Sequence, residues 1–169
     1  FVYFIITWRC NLSCEMCPQR GQSGIFKDKT LTALRHEELD LIAWKSIVDK
    51  LKPYKPTIQL FGGEPLLYEG AIDLMTYVQS NGLRCQMVTN GTLLKSFADG
   101  IVDSGLDMIW VSLDGPEEIH NKIRNGTDIY KRIIEGINAI SELKREREVT
   151  DPKINILYTI NDQNFMHLN

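Results

Sequence analysis

The segment CNLSCEMC places Cys10, Cys14 and Cys17 within eight residues, and the fourth thiol, Cys85, lies far downstream in RCQMVT. Thiolates bind zinc and iron–sulfur clusters. A cubane cluster normally takes four of them, so three local ligands leave one iron without a protein ligand. Catalytic metal sites withhold a ligand in the same way, so that substrate can reach the metal. A structural zinc site generally uses two paired ligand sets, and here the second pair is missing. A disulfide would leave an odd thiol inside the loop. Cys85, beside Met87 and Val88 in an apolar run, reads as a small buried core residue.

Other polar signals are spread along the chain. Gly62–Gly63–Glu64–Pro65 joins two glycines, which let a backbone approach closely, to a carboxylate that either accepts charge-assisted hydrogen bonds or sits near a helix start. Thr89 and Asn90 precede Gly91, and Asn–Gly is also a common turn. Ser112 and Asp114 stand before Gly115–Pro116, where Asp114 could cap a helix. Arg124 in HNKIRNG is either an anion ligand or an exposed loop residue. Arg9, next to the first cysteine, either steadies an anionic group or lies on the surface. His36, His120 and His167 show no ligand pairing and read as surface residues.

The elements that must position these residues alternate. Strands are predicted over 2–8, 57–61, 84–89, 107–113 and 153–160, each rich in β-branched and aromatic residues. Helical spacing marks 37–51, with Leu39, Ile42, Ala43, Ile47 and Leu51 on one face. It recurs from Ala71 to Asn81–Gly82, from Leu94 to Gly105, and through Ile129, Ile133, Ile137 and Ile140. Strand and helix alternating with short connections build a parallel sheet covered by helices. The near-continuous apolar strands suggest burial on both faces. The charged stretch 141–151 reads as a solvated helix end. Four of these signals directly follow a strand, and parallel α/β folds gather their sites at strand C-terminal ends. The cysteine loop, the Gly-Gly-Glu turn, Thr89–Asn90 and Ser112–Asp114 should therefore meet on one rim.

Composition sets the bounds. The 169 residues suffice for one domain, spanning the whole chain. Nineteen basic against 22 acidic residues give a net charge of −3, with no basic excess to suggest a nucleic-acid partner. The longest apolar stretch, FVYFII, is too short to span a membrane, and no basic n-region marks a signal peptide. The absence of an initiator Met suggests a piece of a longer protein. Clustered thiols without a disulfide framework point to a reducing, cytoplasmic setting.

The CxxxCxxC spacing of residues 10–17 resembles the radical S-adenosylmethionine (radical SAM) enzymes. GGEP at 62–65, VTNG at 88–91 and SLDG at 112–115 resemble that superfamily's motifs after strands two, three and four. The resemblance implies an α/β fold, a parallel (β/α) partial barrel. The family's core commonly has six βα units, so with five legible strands the core is expected to be incomplete at its C-terminus, and the chain alone is not expected to process substrate. It implies a [4Fe–4S] cluster held by Cys10, Cys14 and Cys17, with S-adenosylmethionine chelating the open iron. Reductive cleavage then gives a 5′-deoxyadenosyl radical that abstracts hydrogen from a substrate. Gly62, Gly63, Glu64 and Pro65 would hold the cofactor's ammonium group. Thr89 and Asn90 would contact its carboxylate or ribose, Ser112 and Asp114 its ribose, and Arg124 its carboxylate. Met16 would lie at the adenine, where the family usually places an aromatic residue. Either Ile156 and Tyr158 or Asn155 and Leu157 would face the adenine. SLDGPEEIHNKIR resembles members with a cysteine-rich SPASM-type C-terminal extension, which often modify peptides or proteins; other relatives act on small cofactor or lipid precursors. An electron donor such as flavodoxin or ferredoxin is implied as a partner. A binding module with zinc in the cysteine loop is the alternative from another class.

Overall fold

The structure, a computed structural model, describes residues 1–168. Five strands, β1 (Val2–Thr7), β2 (Thr57–Gly62), β3 (Arg84–Thr89), β4 (Met108–Ser112) and β5 (Lys153–Leu157), form one sheet in sequence order. Every neighbouring pair is parallel. Between them run α1 (Leu31–Arg35), α2 (Leu41–Leu51), α3 (Ala71–Ser80), α4 (Leu94–Asp103), α5 (Glu117–Ile123) and α6 (Ile129–Glu146). This is the α/β architecture that the alternating pattern predicts. No helix of the described residues is long and apolar enough to cross a membrane.

The strands do not bury both faces. One set of alternating residues, including Phe4, Ile6, Ile58, Leu60, Met87, Ile109 and Val111, packs into the core with Leu74, Met75, Val78, Ile101, Ile133 and Ile140 of the helices. The opposite set includes Tyr3, 62% exposed, and Ile5, 42% exposed. Tyr3, Gln59, Gln86, Trp110 and Leu157, from all five strands, line one shared cavity, so the sheet curves around open space. A continuous apolar run cannot distinguish a packed face from one that walls a cavity, which explains the difference from the expected two-sided burial.

The helix expected over 37–51 begins later. Asp40 accepts a hydrogen bond from the Ala43 backbone N–H (2.7 Å) and caps α2, leaving Leu39 outside. The buried stripe is Trp44 and Val48, while Ile42 is 78% exposed. Trp44 stacks on Phe4 with ring centroids 4.8 Å apart, which fixes α2 against β1. α6 runs on to Glu146, so much of the charged stretch is its solvated end, as expected.

Cys85 points into the core with no solvent exposure, and burial pushes its thiol well above the ordinary range. Its sulfur is far from the rim where the other three thiols gather. Replacing Cys85 with Ala should lower stability by about 1 kcal/mol, read by urea denaturation, because only a small buried group is lost. Iron uptake by the same variant should be unchanged.

Candidate active site

The rim is built first by backbone. Beyond β1 and β2 the two chains stay paired: the Gly63 N–H donates to the Thr7 carbonyl (2.9 Å) and the Glu64 N–H to that of Arg9 (2.7 Å). The chains run so close here that a Cβ on Gly62 would collide with the Thr7 carbonyl, and one on Gly63 with that of Arg9. Gly62 also adopts a φ of +139°, which side chains rarely tolerate. The glycines are thus required by the chain's own packing against the strand that leads into the cysteine loop. The loop itself is irregular, held by turns such as Cys17 N–H to Cys14 carbonyl and Gly21 N–H to Cys17 carbonyl, each 3.0 Å. The Glu15 N–H donates to the Ile123 carbonyl at the end of α5 (3.0 Å).

Cys10, Cys14 and Cys17 all line one cavity of about 310 Å³. Met16, Gly62, Gly63, Thr89, Asn90, Ser112 and Arg124 line it as well, so most residues singled out in the sequence do meet there. Burial pushes the Cys10 thiol up to about 12, with the nearby Glu64 charge adding to the effect. Burial also raises Cys14, opposed by the Arg124 guanidinium. Such thiols ionise only when a compensating cation arrives, which couples deprotonation to metal binding. Among the described residues, no three His, Cys, Asp or Glu side chains converge on a point that one metal ion could occupy.

Glu64 and Pro65 do not line the cavity. The Glu64 carboxylate has no solvent exposure and accepts from the Asn90 N–H (2.8 Å), the Thr89 hydroxyl (2.8 and 2.9 Å) and the Leu66 N–H (3.1 Å). It ties the turn after β2 to the end of β3 rather than pointing at a ligand. Burial lifts it to about 7, against the pull of those donors. Pro65, also buried, opens the short 3₁₀ turn Pro65–Leu67. Thr89 lines the cavity with its hydroxyl committed to Glu64. Asn90 faces the cysteine loop: its Nδ2 donates to Asn11 Oδ1 (2.9 Å) and lies 3.8 Å from Cys10 Sγ, while its Oδ1 accepts from Thr92.

Asp114, fully buried, neither caps α5 nor lines the cavity. Pro116 takes the cap position, and Asp114 holds Arg124 instead. Arg124 Nε and Nη2 both lie 2.6 Å from Asp114 Oδ2, and Nη1 lies 3.9 Å from Cys14 Sγ. Asp114 Oδ1 accepts the Thr159 N–H (2.8 Å). Arg124 is therefore a buried cation on the cavity wall, not an exposed loop residue. Arg9 is neither surface-bound nor aimed at the thiols; its guanidinium forms a two-pronged pair with Glu38 (2.7 and 3.0 Å), to which the Thr7 hydroxyl also donates. Ser112 lines the cavity, and its hydroxyl has no hydrogen-bond partner among the described residues.

Two further placements differ from expectation or resolve it. His120 is fully buried rather than on the surface; its Nδ1 accepts the Asp114 N–H (3.0 Å). Burial, reinforced by Arg124, holds it down to about 4, so it is neutral. Leu157 and Thr159 line the cavity, which selects the Asn155/Leu157 register; the Tyr158 hydroxyl donates to the Asn164 carbonyl instead (2.9 Å). Asn164, which no sequence signal marks, is fully buried and donates to the carbonyls of Asp114 (3.1 Å) and Thr159 (2.8 Å).

Residues 4–168 match the family model described as the Radical SAM superfamily. The chain belongs to this superfamily. The radical SAM chain is 29% identical over 165 residues to Fe-coproporphyrin III synthase of Methanosarcina barkeri, covering 96% of this chain and 37% of that protein. It is 32% identical over 136 residues to GTP 3′,8-cyclase of Sulfurimonas denitrificans, covering 79% and 40%. In fold it is similar to SuiB of Streptococcus suis, with a TM-score of 0.75 at 16% identity over 99% of this chain and 34% of that one. It is also similar to anSMEcpe with bound AdoMet, with a TM-score of 0.66 at 21% identity over 93% and 43%. The radical SAM chain thus spans well under half the length of these relatives, and the structural likenesses concern the fold.

The close backbone passage makes Gly63 testable without any ligand. Gly63→Ala should destabilise the metal-free protein by on the order of 2–4 kcal/mol in urea, because the clash is with backbone; unaltered metal-free stability would mean that the glycine serves only a ligand. His120 is neutral when folded, with its proton affinity depressed from 6.5 to about 4. Its contribution to stability is complete above pH 6.5 and is lost as pH falls toward 4. In His120→Asn, which keeps an acceptor for the Asp114 N–H, that part of the pH dependence of the melting temperature should vanish.

Proposed function

We propose that Cys10, Cys14 and Cys17 hold a [4Fe–4S] cluster with one iron left for S-adenosylmethionine, and that this chain is the catalytic core of an enzyme that abstracts hydrogen from an organic substrate. The observation that carries the reading is the convergence of three thiols on the wall of one cavity, with a buried cation beside them. The donor set suits the cluster: three soft thiolates, no fourth cysteine within reach, and room beyond them. The zinc alternative lacks a fourth ligand, since among the described residues no His, Asp, Glu or further Cys lines the cavity beside the three thiols.

When bound, the cluster supplies one electron to S-adenosylmethionine, whose C5′–S bond breaks to release methionine and a 5′-deoxyadenosyl radical. The chain's residues place the reactants. Arg124, held by Asp114, would offset the negative charge that ionised Cys14 brings into a buried site, and its remaining donors would be available to the cofactor's carboxylate. The Gly62–Gly63 backbone supplies acceptors for the ammonium group, which the committed Glu64 carboxylate does not. Ser112 offers its hydroxyl to the ribose, and Met16 an adaptable apolar surface to the adenine. Asn90 fixes Cys10. Leu157 and Val88 give the cavity an apolar wall.

A one-electron donor of the flavodoxin or ferredoxin kind is required as partner. For the substrate, the relatives include a coproporphyrin synthase and a GTP cyclase, and SuiB has been solved with a precursor peptide. Of these classes, a peptide or protein is the reading favoured by the SLDGPEEIHNKIR stretch.

Anaerobic reconstitution should load about four irons and four sulfides per chain. Cys14→Ala should keep its helical circular dichroism and lose most of that iron. With dithionite and S-adenosylmethionine, the loaded native protein should release 5′-deoxyadenosine, detected by mass spectrometry, and the variant should not. Full iron in the variant would overturn the assignment.

A further inference from the structure

The cavity-facing side of the sheet continues below the cofactor cavity. A second cavity, of about 280 Å³, is lined by Tyr3, Gln59, Gln86, Val88, Trp110 and Leu157 among others. Val88 and Leu157 also line the cavity that holds the thiols, so the two spaces share a wall. A group seated in the lower one would sit next to the place where the radical forms.

We propose that this floor is a substrate subsite for an uncharged group that presents a hydrogen-bond donor and acceptor together beside an apolar face, the chemistry of a carboxamide. The proposal rests on the function proposed above for the same cavity. Gln59 and Gln86 are each more than nine-tenths buried. Only one of their four amide functions has a partner among the described residues: Gln86 Oε1 accepts from Trp110 Nε1 (3.0 Å). Their free amide atoms open onto the cavity, so a ligand that fills this floor must offer hydrogen bonds in place of water, or leave an amide unsatisfied at a cost of about 1–3 kcal/mol. The amide is both donor and acceptor, and the register puts the two side by side, since Gln59 pairs with Gln86 between β2 and β3. Trp110 and Tyr3 flank them with aromatic surface. No side chain that lines this floor is charged. The cations of the same strands, Arg84 and Lys153, stand at the far rim, each near an acid: Asp107 at 3.7 Å and Asp151 at 3.4 Å. An anion driven into this floor would lose water and meet no compensating side chain. The subsite therefore selects against carboxylates and phosphates and for neutral amides, whether from a peptide or from a nucleobase.

The test uses the cluster-loaded protein with S-adenosylmethionine and two matched pairs of probes: N-acetyltyrosinamide against N-acetyltyrosine, and guanosine against GTP. Dissociation constants are measured by equilibrium dialysis under argon. Each neutral member should bind at least ~10-fold more tightly than its charged twin, a gap of about 1.4 kcal/mol. The tighter of the two neutral probes identifies the peptide or the nucleobase as the source. Gln59→Leu costs the fold no internal hydrogen bond and should weaken the neutral probes by about 10-fold. A charged member that matches its twin, or an unchanged affinity in a Gln59→Leu protein with native circular dichroism, would overturn the subsite. Binding is read directly and so is independent of 5′-deoxyadenosine release, whose failure would count against the function and not the subsite.

Discussion

Where β1 and β2 end, two backbones run closer together than any side chain permits. The hydrogen bonds from Gly63 to Thr7 and from Glu64 to Arg9 prolong the pairing past the strands, and only glycine fits at 62 and 63. This close passage sets the direction in which the chain enters the cysteine loop. It also fixes Glu64, whose buried carboxylate gathers Thr89 and the Asn90 N–H from β3. Asn90 in turn holds Asn11 and approaches Cys10. The ends of three strands and the first thiol are thus joined by one continuous path of hydrogen bonds.

A second path manages charge. Burial makes Cys10 and Cys14 resist ionisation, and Arg124 is the cation placed beside Cys14. A buried cation is itself unfavourable without a partner. Asp114 provides that partner, and Asp114 is satisfied by Thr159, Asn164 and neutral His120. β4, α5 and the segment after β5 therefore share one network, which ends at Cys14. The neutral state of His120 matters here, because a protonated ring would face Arg124 across a buried carboxylate and could no longer accept the Asp114 N–H.

Much of this was legible in the sequence, for physical reasons. β-Branched runs closed by glycine define strands, and the polar residues after them must share a rim. The three-cysteine spacing carried the chemistry. What the sequence could not reveal was where each side chain points. Glu64, read as a ligand group, is turned inward because β3 offers it two of its three donors. His120 reads as a surface residue, and Arg9 as either a surface residue or an anion's partner, because their actual partners, Asp114 and Glu38, carry no pattern in the sequence. Asn164 lies in a stretch without periodicity, yet it is as buried as any core leucine. The floor of the sheet was hidden for the same reason: alternation gives a face, and only the curvature of the sheet shows that the face encloses space.

That three cysteines hold a four-iron cluster, with its remaining iron open to S-adenosylmethionine, is tested most directly by electron paramagnetic resonance of the dithionite-reduced, reconstituted protein. A reduced-cluster signal is expected, with g-values that shift when S-adenosylmethionine is added, because the cofactor binds the open iron. A signal unmoved by saturating S-adenosylmethionine, or a protein that takes up one zinc and no iron, would contradict it.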